Sequence, residues 1–136
     1  MSKQITLDSL AIFKYYYNGE GYFPVIPLYI SVAGDKKLKL HALIDSGATI
    51  SVFKDEVADQ LGVEIEKGRE IYLGGVGGRI KGYIHTLEVE IAGKIFPCPV
   101  VFSHEYTVSF NLLGRDAVFK QFRIIFEEKK NLLKLE

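Results

Sequence analysis

Residues 42–49 read Ala42-Leu43-Ile44-Asp45-Ser46-Gly47-Ala48-Thr49, an apolar run that ends in an aspartate, a serine and a glycine. The preceding residues 38–41 alternate apolar and polar side chains, so the pattern predicts a β-strand that enters the core just before Asp45. A carboxyl group at such a strand end either forms a turn or has a perturbed ionisation, because burial raises the pKa of an acid. The tripeptide alone indicates little, since turns built on aspartate explain most sequences of this kind.

A second informative stretch has four glycines in five positions, Gly74, Gly75, Gly77 and Gly78, with Val76 between them. The flanking residues are of β type, which predicts a hairpin whose backbone amides can approach a ligand. A phosphate-binding glycine loop should open a helix and end in Gly-Lys-Ser or Gly-Lys-Thr, and this stretch has neither feature. The pattern therefore favours either a flexible hairpin that covers a cleft or a plain long turn.

A third stretch reads Asn111-Leu112-Leu113-Gly114-Arg115-Asp116, an apolar pair and a glycine before a predicted helix. Packing alone could explain this stretch if it stood by itself. Taken together and in this order, the three stretches resemble the motifs of the retroviral-type aspartic proteases, the retropepsins. The resemblance covers roughly residues 25 to 126 and favours the cellular or microbial single-domain form of that family over a viral one.

Turn signals recur at short intervals between segments rich in Ile, Val, Leu, Tyr and Phe, which predicts a mostly β protein. The resemblance implies a small, closed, β-barrel-like acid protease fold with a glycine-rich flap hairpin and one or two short helices. Those helices are expected at residues 53–61 and 115–121. We expect a single domain over residues 1–136, with an N-terminal extension at 1–24 and a C-terminal hairpin at 122–135.

Aromatic residues crowd around the turn at residues 18–21, and they are Phe13, Tyr15, Tyr16, Tyr17, Tyr22 and Phe23. One interpretation is an aromatic ladder across a hairpin, since facing aromatic side chains stabilise strand pairs. The other is a surface that docks substrate or a second copy of the chain.

The resemblance implies a role for each residue of the first motif. Asp45 is similar to the catalytic aspartate, and Ser46 to the hydroxyl residue that holds two carboxylates coplanar. Gly47 is similar to the glycine whose carbonyl receives the substrate backbone. Ala48 and Thr49 are expected to contact substrate in the cleft.

The resemblance also assigns the other two motifs. Val76 is similar to the flap-tip residue whose amide holds substrate, and the four glycines beside it would give the flap its freedom to move. Structural roles are expected for Leu112, Leu113, Gly114 and Arg115. Viral enzymes place an acidic residue at the position of Thr49 to pair with the arginine, so Arg115 needs another partner, such as Asp116 or a backbone carbonyl.

The chemistry that the resemblance implies needs two carboxylates about one water apart, one ionised and one protonated. The chain has a single Asp-Ser-Gly. We therefore expect a homodimer that places Asp45 opposite the partner's Asp45 across a two-fold axis, acting as an aspartic endopeptidase on peptide or protein substrates. The alternatives are a non-catalytic peptide-binding or dimerisation module on the same fold and, with less support, a β domain whose glycine loop binds a small ligand.

Composition limits the other possibilities. The 136 residues include 17 Lys plus Arg and 17 Asp plus Glu, and this balance argues against nucleic acid or an acidic membrane surface as a partner. His41, His85 and His104 are far apart, so we expect no metal, and the chemistry needs no other cofactor. The single Cys98 lies in an apolar string and is predicted to be buried and inert. With neither a signal pattern nor an apolar run of about 18 residues, a cytoplasmic location is expected.

Overall fold

The protein is described by a computed structural model over residues 10–32, 36–75 and 77–136. Most of this chain is extended. The strands are β1 (Ala11–Lys14), β2 (Tyr16–Tyr17), β3 (Tyr22–Phe23), β4 (Val25–Val32), β5 (Lys36–Ile44), β6 (Ser51–Lys54), β7 (Arg69–Gly75), β8 (Gly78–Ile91), β9 (Lys94–Ser103), β10 (Asn111–Leu113), β11 (Ile124–Glu127) and β12 (Leu132–Leu135). The helical segments are α1 (Asp55–Leu61), two short 3-10 turns (Ile65–Lys67 and Glu128–Lys130) and a wide π-type turn (Arg115–Phe119).

The main sheet closes on itself. Its seven strands follow the order β4-β5-β10-β6-β9-β8-β7, and β4 also pairs with β8. This extra pairing sets Tyr29 opposite Glu90 and Ile30 opposite Val89, so every strand of the sheet except β7 belongs to a ring. Closure leaves few free backbone groups at sheet edges. The predicted mostly β, small closed fold is confirmed.

The ring encloses an apolar core. Alternate residues of β4, namely Ile26, Leu28 and Ile30, are fully buried, as expected for a strand with one face turned inward. Cys98 on β9 is also fully buried, which agrees with the prediction from its apolar surroundings. Burial raises the pKa of its thiol to about 11, so the thiolate is scarcely populated near neutral pH.

The first predicted helix is shorter than the sequence pattern indicated. Residues 53–54 complete β6, where Phe53 pairs with Phe102 of β9, so α1 begins only at Asp55. Acidic residues in its first turn suit the helix dipole. Gly62 ends the helix in the left-handed conformation, with φ of +71°.

The second predicted helix, at 115–121, is strongly distorted. Asp116 is extended, with ψ of 127°, and Ala117 has φ of +66°. The backbone N–H groups of Arg115 and Asp116 donate to the carbonyls of Ala48 and Thr49, at 2.9 and 2.8 Å. Contacts with another loop therefore hold this segment in a shape that the helix pattern did not predict.

A separate three-stranded sheet joins the two ends of the described chain. β12 lies between β1 and β11 and is antiparallel to both, so the N-terminal strand pairs with the C-terminal hairpin of the same chain. Leu133 and Leu135 of β12 are buried against the ring. The Tyr15 hydroxyl, just after β1, donates to the Glu128 carboxylate at 2.6 Å.

Candidate active site

The Asp45 carboxylate is positioned by backbone groups. Asp45 follows the last residue of β5, and its N–H donates to the Leu113 carbonyl at 3.0 Å, which extends the parallel pairing of β5 with β10. Its carboxylate oxygen Oδ1 accepts the Gly47 N–H at 2.9 Å. The Ala48 N–H donates to the Asp45 carbonyl at 3.2 Å. The side chain is half-buried, in a tight turn that fixes its direction.

The third motif packs directly behind this turn. β10 lies between β5 and β6, parallel to the first and antiparallel to the second. A Cβ atom on Gly114 would lie 2.6 Å from the Ile50 backbone and 2.9 Å from the Ala48 carbonyl oxygen, so only glycine fits. The Gly114 N–H donates to the buried Ser51 hydroxyl at 3.0 Å. The leucine-glycine pattern thus fixes the back of the Asp45 loop.

The Arg115 side chain lies beside Thr49, the residue whose lack of charge left the partner of the arginine open. The Arg115 backbone N–H donates to the Ala48 carbonyl, and its guanidinium Nη2 lies 3.4 Å from the Thr49 hydroxyl. The partner of the guanidinium is therefore Thr49 itself, where Asp116 or a backbone carbonyl was expected. The two side chains are in contact although Thr49 has no charge.

The glycine-rich hairpin tip is open. β7 and β8 pair antiparallel up to Gly75 and Gly78, and Val76, the predicted flap-tip residue, lies outside the described residues. A Cβ atom on Gly74, Gly75 or Gly77 would meet nothing within 4 Å. Gly78 has φ of +109°, a backbone conformation that side chains disfavour. Packing within the subunit therefore explains none of these glycines, and their backbone is accessible.

The strands below this tip are tied together and to the ring. A Cβ atom on Gly82 of β8 would lie 2.5 Å from a methyl group of Val101, so the hairpin base fits closely against β9. Lys81 and Glu70 form an ion pair across the two strands at 2.9 Å. The Arg79 guanidinium stacks over the Tyr72 ring at 4.6 Å. The hairpin is thus anchored at its base, and the described glycines near its tip are exposed.

A cleft of about 600 Å³ separates the hairpin from the Asp45 loop. The predicted residues that it brings together are Asp45, Gly47, Ala48, Thr49, Gly74, Gly75, Gly77, Gly78 and Leu112. Ser46 is exposed in the same loop, whereas Leu113 and Gly114 lie buried behind it. Residues from three separate stretches of sequence therefore meet in one cavity.

Sequence reasoning missed several residues of this cavity, namely Ile50, Val52, Tyr72, Leu73, Ile80, Tyr106 and Val108. Tyr106 is the most distinctive, because its hydroxyl donates to the Phe110 carbonyl at 2.7 Å and holds its ring in the wall. Burial, with a smaller contribution from the nearby Asp45 carboxylate, raises the pKa of Tyr106 to about 12. The sequence signal for this loop is an alternation of apolar and polar residues from Tyr106 to Leu112.

No group of three or more His, Cys, Asp or Glu side chains that could hold a metal ion occurs among residues 10–32, 36–75 and 77–136. Within the same described ranges, no helix has the length and apolar character needed to cross a membrane.

Comparison with known proteins identifies a family. The family model described as aspartyl protease matches residues 19–127. The chain is 29% identical over 123 residues to the DNA damage-inducible protein 1 of Neurospora crassa. That match covers 88% of this chain but only 27% of the Neurospora protein, so the chain spans about a quarter of the length of this relative.

Two solved structures have a similar fold. A retropepsin-like aspartic protease from Rickettsia conorii superposes with a TM-score of 0.68 at 22% identity, covering 93% of this chain and 98% of that one. The EIAV protease complexed with the inhibitor HBY-793 superposes with a TM-score of 0.57 at 24% identity, covering 78% of this chain and 93% of that one. These likenesses confirm the predicted retropepsin-like architecture.

Proposed function

The chain belongs to the aspartyl protease family, as its three motifs predicted, and on this premise we propose that it is a homodimeric aspartic endopeptidase. The observation that supports the proposal most directly is the position of Asp45. Its carboxylate lies in a cleft that also receives the backbone of the glycine-rich flap.

In the proposed reaction, two Asp45 carboxylates, one from each subunit, hold a water between them. The ionised one takes a proton from the water as the water attacks the peptide carbonyl, and the other, protonated, donates to the carbonyl oxygen. Two carboxylates so close share one proton, because like charges oppose double ionisation. The Gly47 N–H, 2.9 Å from Oδ1, orients the carboxylate, and Ser46 would bond across the two loops.

The dimer is required because one chain offers half of the chemistry. Among the described residues that line the cleft, Asp45 is the sole acidic side chain. The second carboxylate must therefore come from an identical loop, and a two-fold axis beside Asp45 supplies it.

Substrate would lie as an extended strand between the flap and the Asp45 loop. The exposed flap backbone near Gly75 and Gly77 and the carbonyl of Gly47 offer main-chain hydrogen bonds, as in other strand-addition complexes. The cleft walls are largely apolar, with Ile80 on the flap and Leu112 opposite it among the contributors. The substrate class is therefore an unfolded polypeptide with apolar side chains beside the cleaved bond.

The first experiment replaces the proposed catalytic group. Asp45→Asn keeps the oxygen that accepts the Gly47 N–H but removes the ionisable group, so the fold should persist. Cleavage of a fluorogenic peptide with apolar residues at the cut site should fall by about 10³-fold or more. Asp59→Asn, on the exposed face of α1, is the matched control and should cleave normally. Activity retained in Asp45→Asn would overturn the proposal.

A second experiment tests whether the site is shared. Equal amounts of unaltered and Asp45→Asn subunits, mixed and allowed to exchange, should retain about a quarter of the unaltered activity, because one dimer in four has two intact aspartates. Half of the activity would show that each subunit acts alone. A chain that binds the peptide and never cleaves it would instead be the peptide-binding module.

A further inference from the structure

A turn at residues 103–106 begins at the last residue of β9 and leads to Tyr106, whose side chain lines the cleft. Two hydrogen bonds close this turn. The Tyr106 N–H donates to the Ser103 carbonyl at 3.3 Å, and the Glu105 N–H donates to the Ser103 hydroxyl at 3.1 Å. We call it the 103–106 turn, and none of the three sequence motifs includes it.

The flap strand β8 loses its partner on one side close to this turn. Its pairing with β9 ends at Tyr83, opposite Phe102, and from Lys81 to Gly78 the strand is paired with β7 alone. The backbone N–H and C=O of one strand residue point the same way. Those of Lys81, two residues beyond the last pair with β9, point toward the 103–106 turn.

Side chains of the 103–106 turn take the place of the missing strand. The Lys81 N–H donates to the Glu105 carboxylate Oε2 at 3.1 Å, and the Ser103 hydroxyl donates to the Lys81 carbonyl at 2.5 Å. The Ser103 hydroxyl is buried and also accepts the Glu105 N–H, so it serves as donor and acceptor at once. We call the two bonds to Lys81 the Lys81 clamp.

The Lys81 clamp lies where the anchored part of β8 ends. On one side of it, a Cβ atom on Gly82 would lie 2.5 Å from a methyl group of Val101, so that residue is closely packed. On the other side, toward the tip, a Cβ atom on Gly77 or Gly78 would meet nothing within 4 Å. Motion of a flap is absorbed at a few residues where support ends, and Lys81 is at this boundary.

We propose that Glu105 and Ser103 are positioning residues, which hold the flap over the cleft through the Lys81 backbone and fix it relative to Tyr106. The inference rests on the proposed function, since it concerns how the flap receives substrate. Without the clamp, a smaller fraction of molecules has the flap in the position that binds peptide, and the apparent affinity falls with that fraction. Bound peptide itself holds the flap, so the clamp lowers KM and leaves kcat unchanged.

The first test removes the acceptor of the Lys81 N–H. Glu105→Ala should raise KM for the fluorogenic peptide about three- to tenfold at equal kcat, which corresponds to one hydrogen bond of ordinary net strength. Glu105→Gln keeps a side-chain oxygen that can accept the Lys81 N–H. Its KM should therefore stay within about twofold of that of the unaltered chain.

Glu70→Ala is the matched control for charge. It removes the ion pair with the Lys81 side chain and leaves both bonds to the Lys81 backbone in place. Because that ion pair is exposed, KM should change by less than about twofold. A rise as large as that of Glu105→Ala would mean that charge near Lys81 sets KM, and it would overturn the proposal.

Ser103→Ala removes the other half of the clamp and should raise KM in the same direction. Both bonds hold one residue, so the double variant should raise KM by clearly less than the product of the two single effects. A full product would mean that Ser103 and Glu105 act separately, which would contradict a shared clamp.

Two measurements separate this proposal from the endopeptidase proposal, because neither needs cleavage. Amide hydrogen exchange at Lys81, followed by NMR, should be at least about threefold faster in Glu105→Ala and nearly unchanged in Glu105→Gln. Fluorescence anisotropy with a labelled peptide and the Asp45→Asn protein gives a dissociation constant. Adding Glu105→Ala to that protein should weaken binding about three- to tenfold, even if the unaltered chain cleaves nothing.

The remaining outcomes that would overturn the proposal concern Glu105 itself. These are an unchanged KM in Glu105→Ala, an equal rise in KM in Glu105→Ala and Glu105→Gln, and slow exchange at Lys81 in Glu105→Ala. A fall in kcat or in the free energy of unfolding, with KM unchanged, would make Glu105 a residue that only supports the fold.

Discussion

The two walls of the cleft use glycine for opposite reasons. Behind the Asp45 loop, Gly114 is pressed against the Ile50 backbone at a distance that admits no side chain. At the flap tip, a Cβ atom on Gly74 or Gly75 would meet open space. One wall needs glycine to pack, and the other uses glycine to leave its backbone accessible. The Asp45 side of the cleft should therefore be rigid and the flap side adaptable.

Hydrogen bonding follows the same division. On the Asp45 side of the cleft, backbone N–H groups donate to acceptors on the same side. These donors are Asp45, Gly114 and Arg115. The flap strands bond to each other, and their base is anchored where Gly82 fits against Val101. Satisfied backbone groups and close packing resist deformation. The described glycines near the tip are paired only between β7 and β8, and no side chain packs against them.

The Asp45 side of the cleft, closed behind by Gly114, is called the rigid wall below. The largest effect on stability is expected there. Gly114→Ala forces a methyl group against the backbone of Ile50, and we expect the free energy of unfolding to fall by about 2–3 kcal/mol. Peptide cleavage should fall as well, because Leu113, next to it, accepts the Asp45 N–H. Urea unfolding and peptide kinetics measure the two effects.

Gly74→Ala is the control for stability, since its methyl group meets nothing within 4 Å. We expect a change of no more than about 0.5 kcal/mol in its free energy of unfolding. If Gly114→Ala and Gly74→Ala lower the free energy of unfolding equally, the contrast between the two sides of the cleft is wrong.

The sequence predicted the Asp45 side of the cleft well and the flap side in part. The Asp45 turn and Gly114 are identifiable from sequence because their local geometry tolerates few residue types. The flap hairpin was predicted from its glycines, whereas Val76 at its tip lies outside the described residues. Tyr106 and Val108 were not identified as site residues, although apolar and polar residues alternate from Tyr106 to Leu112, because their loop lies outside the three motifs.

Other differences have the same cause. The prediction of a helix at 115–121 was wrong in its first turn. The carbonyls of Ala48 and Thr49 accept hydrogen bonds from that backbone, and these residues belong to a loop more than sixty residues away along the chain. The partner of Arg115 could not be inferred without knowing that Thr49 lies beside it. The single-domain boundaries, with the extension at 1–24, and the cytoplasmic location stay predictions.

The second prediction compares two glycines near the flap tip, Gly78 and Gly75. Gly78 has φ of +109°, so Gly78→Ala should lower the free energy of unfolding by about 1–2 kcal/mol and raise KM by distorting the tip. Gly75 has no such conformation, so Gly75→Ala should raise the free energy of unfolding by roughly 0.5 kcal/mol through the unfolded chain. Thermal unfolding and peptide KM values distinguish them. Equal effects would contradict the assignment of the Gly78 cost to its positive φ.

The third prediction adds a charge to the rigid wall. Thr49→Asp places a carboxylate beside the Arg115 guanidinium, where the hydroxyl now lies 3.4 Å away. We expect a gain of roughly 0.5 kcal/mol in the free energy of unfolding at neutral pH, because both groups are exposed. The arginine would lower the pKa of Asp, so the gain should be present above about pH 4 and disappear as the pH falls further. Thr49→Asn, similar in size but uncharged, should show no such pH dependence, and a gain common to both variants would exclude the ion pair.

The smallest effect is expected at His104, where the loop that carries Tyr106 into the cleft begins. Its two ring nitrogens lie 3.2 Å from Asp55 and 3.1 Å from Glu66, and hydrogen bonds to these carboxylates raise the pKa of His104. Stability from this pair of contacts is therefore complete below about pH 6.5, the ordinary histidine pKa, and declines as the pH rises through the higher folded value.

His104→Gln should remove this pH dependence at a cost of a few tenths of a kcal/mol at pH 5.5 and less at pH 8.5, because the ring is 58% exposed. Urea unfolding at the two pH values measures it, and an unchanged difference between them would contradict the assignment. A cost approaching that of Gly114→Ala would mean that charge, and not packing, holds the rigid wall, which would reverse the comparison between the two sides of the cleft.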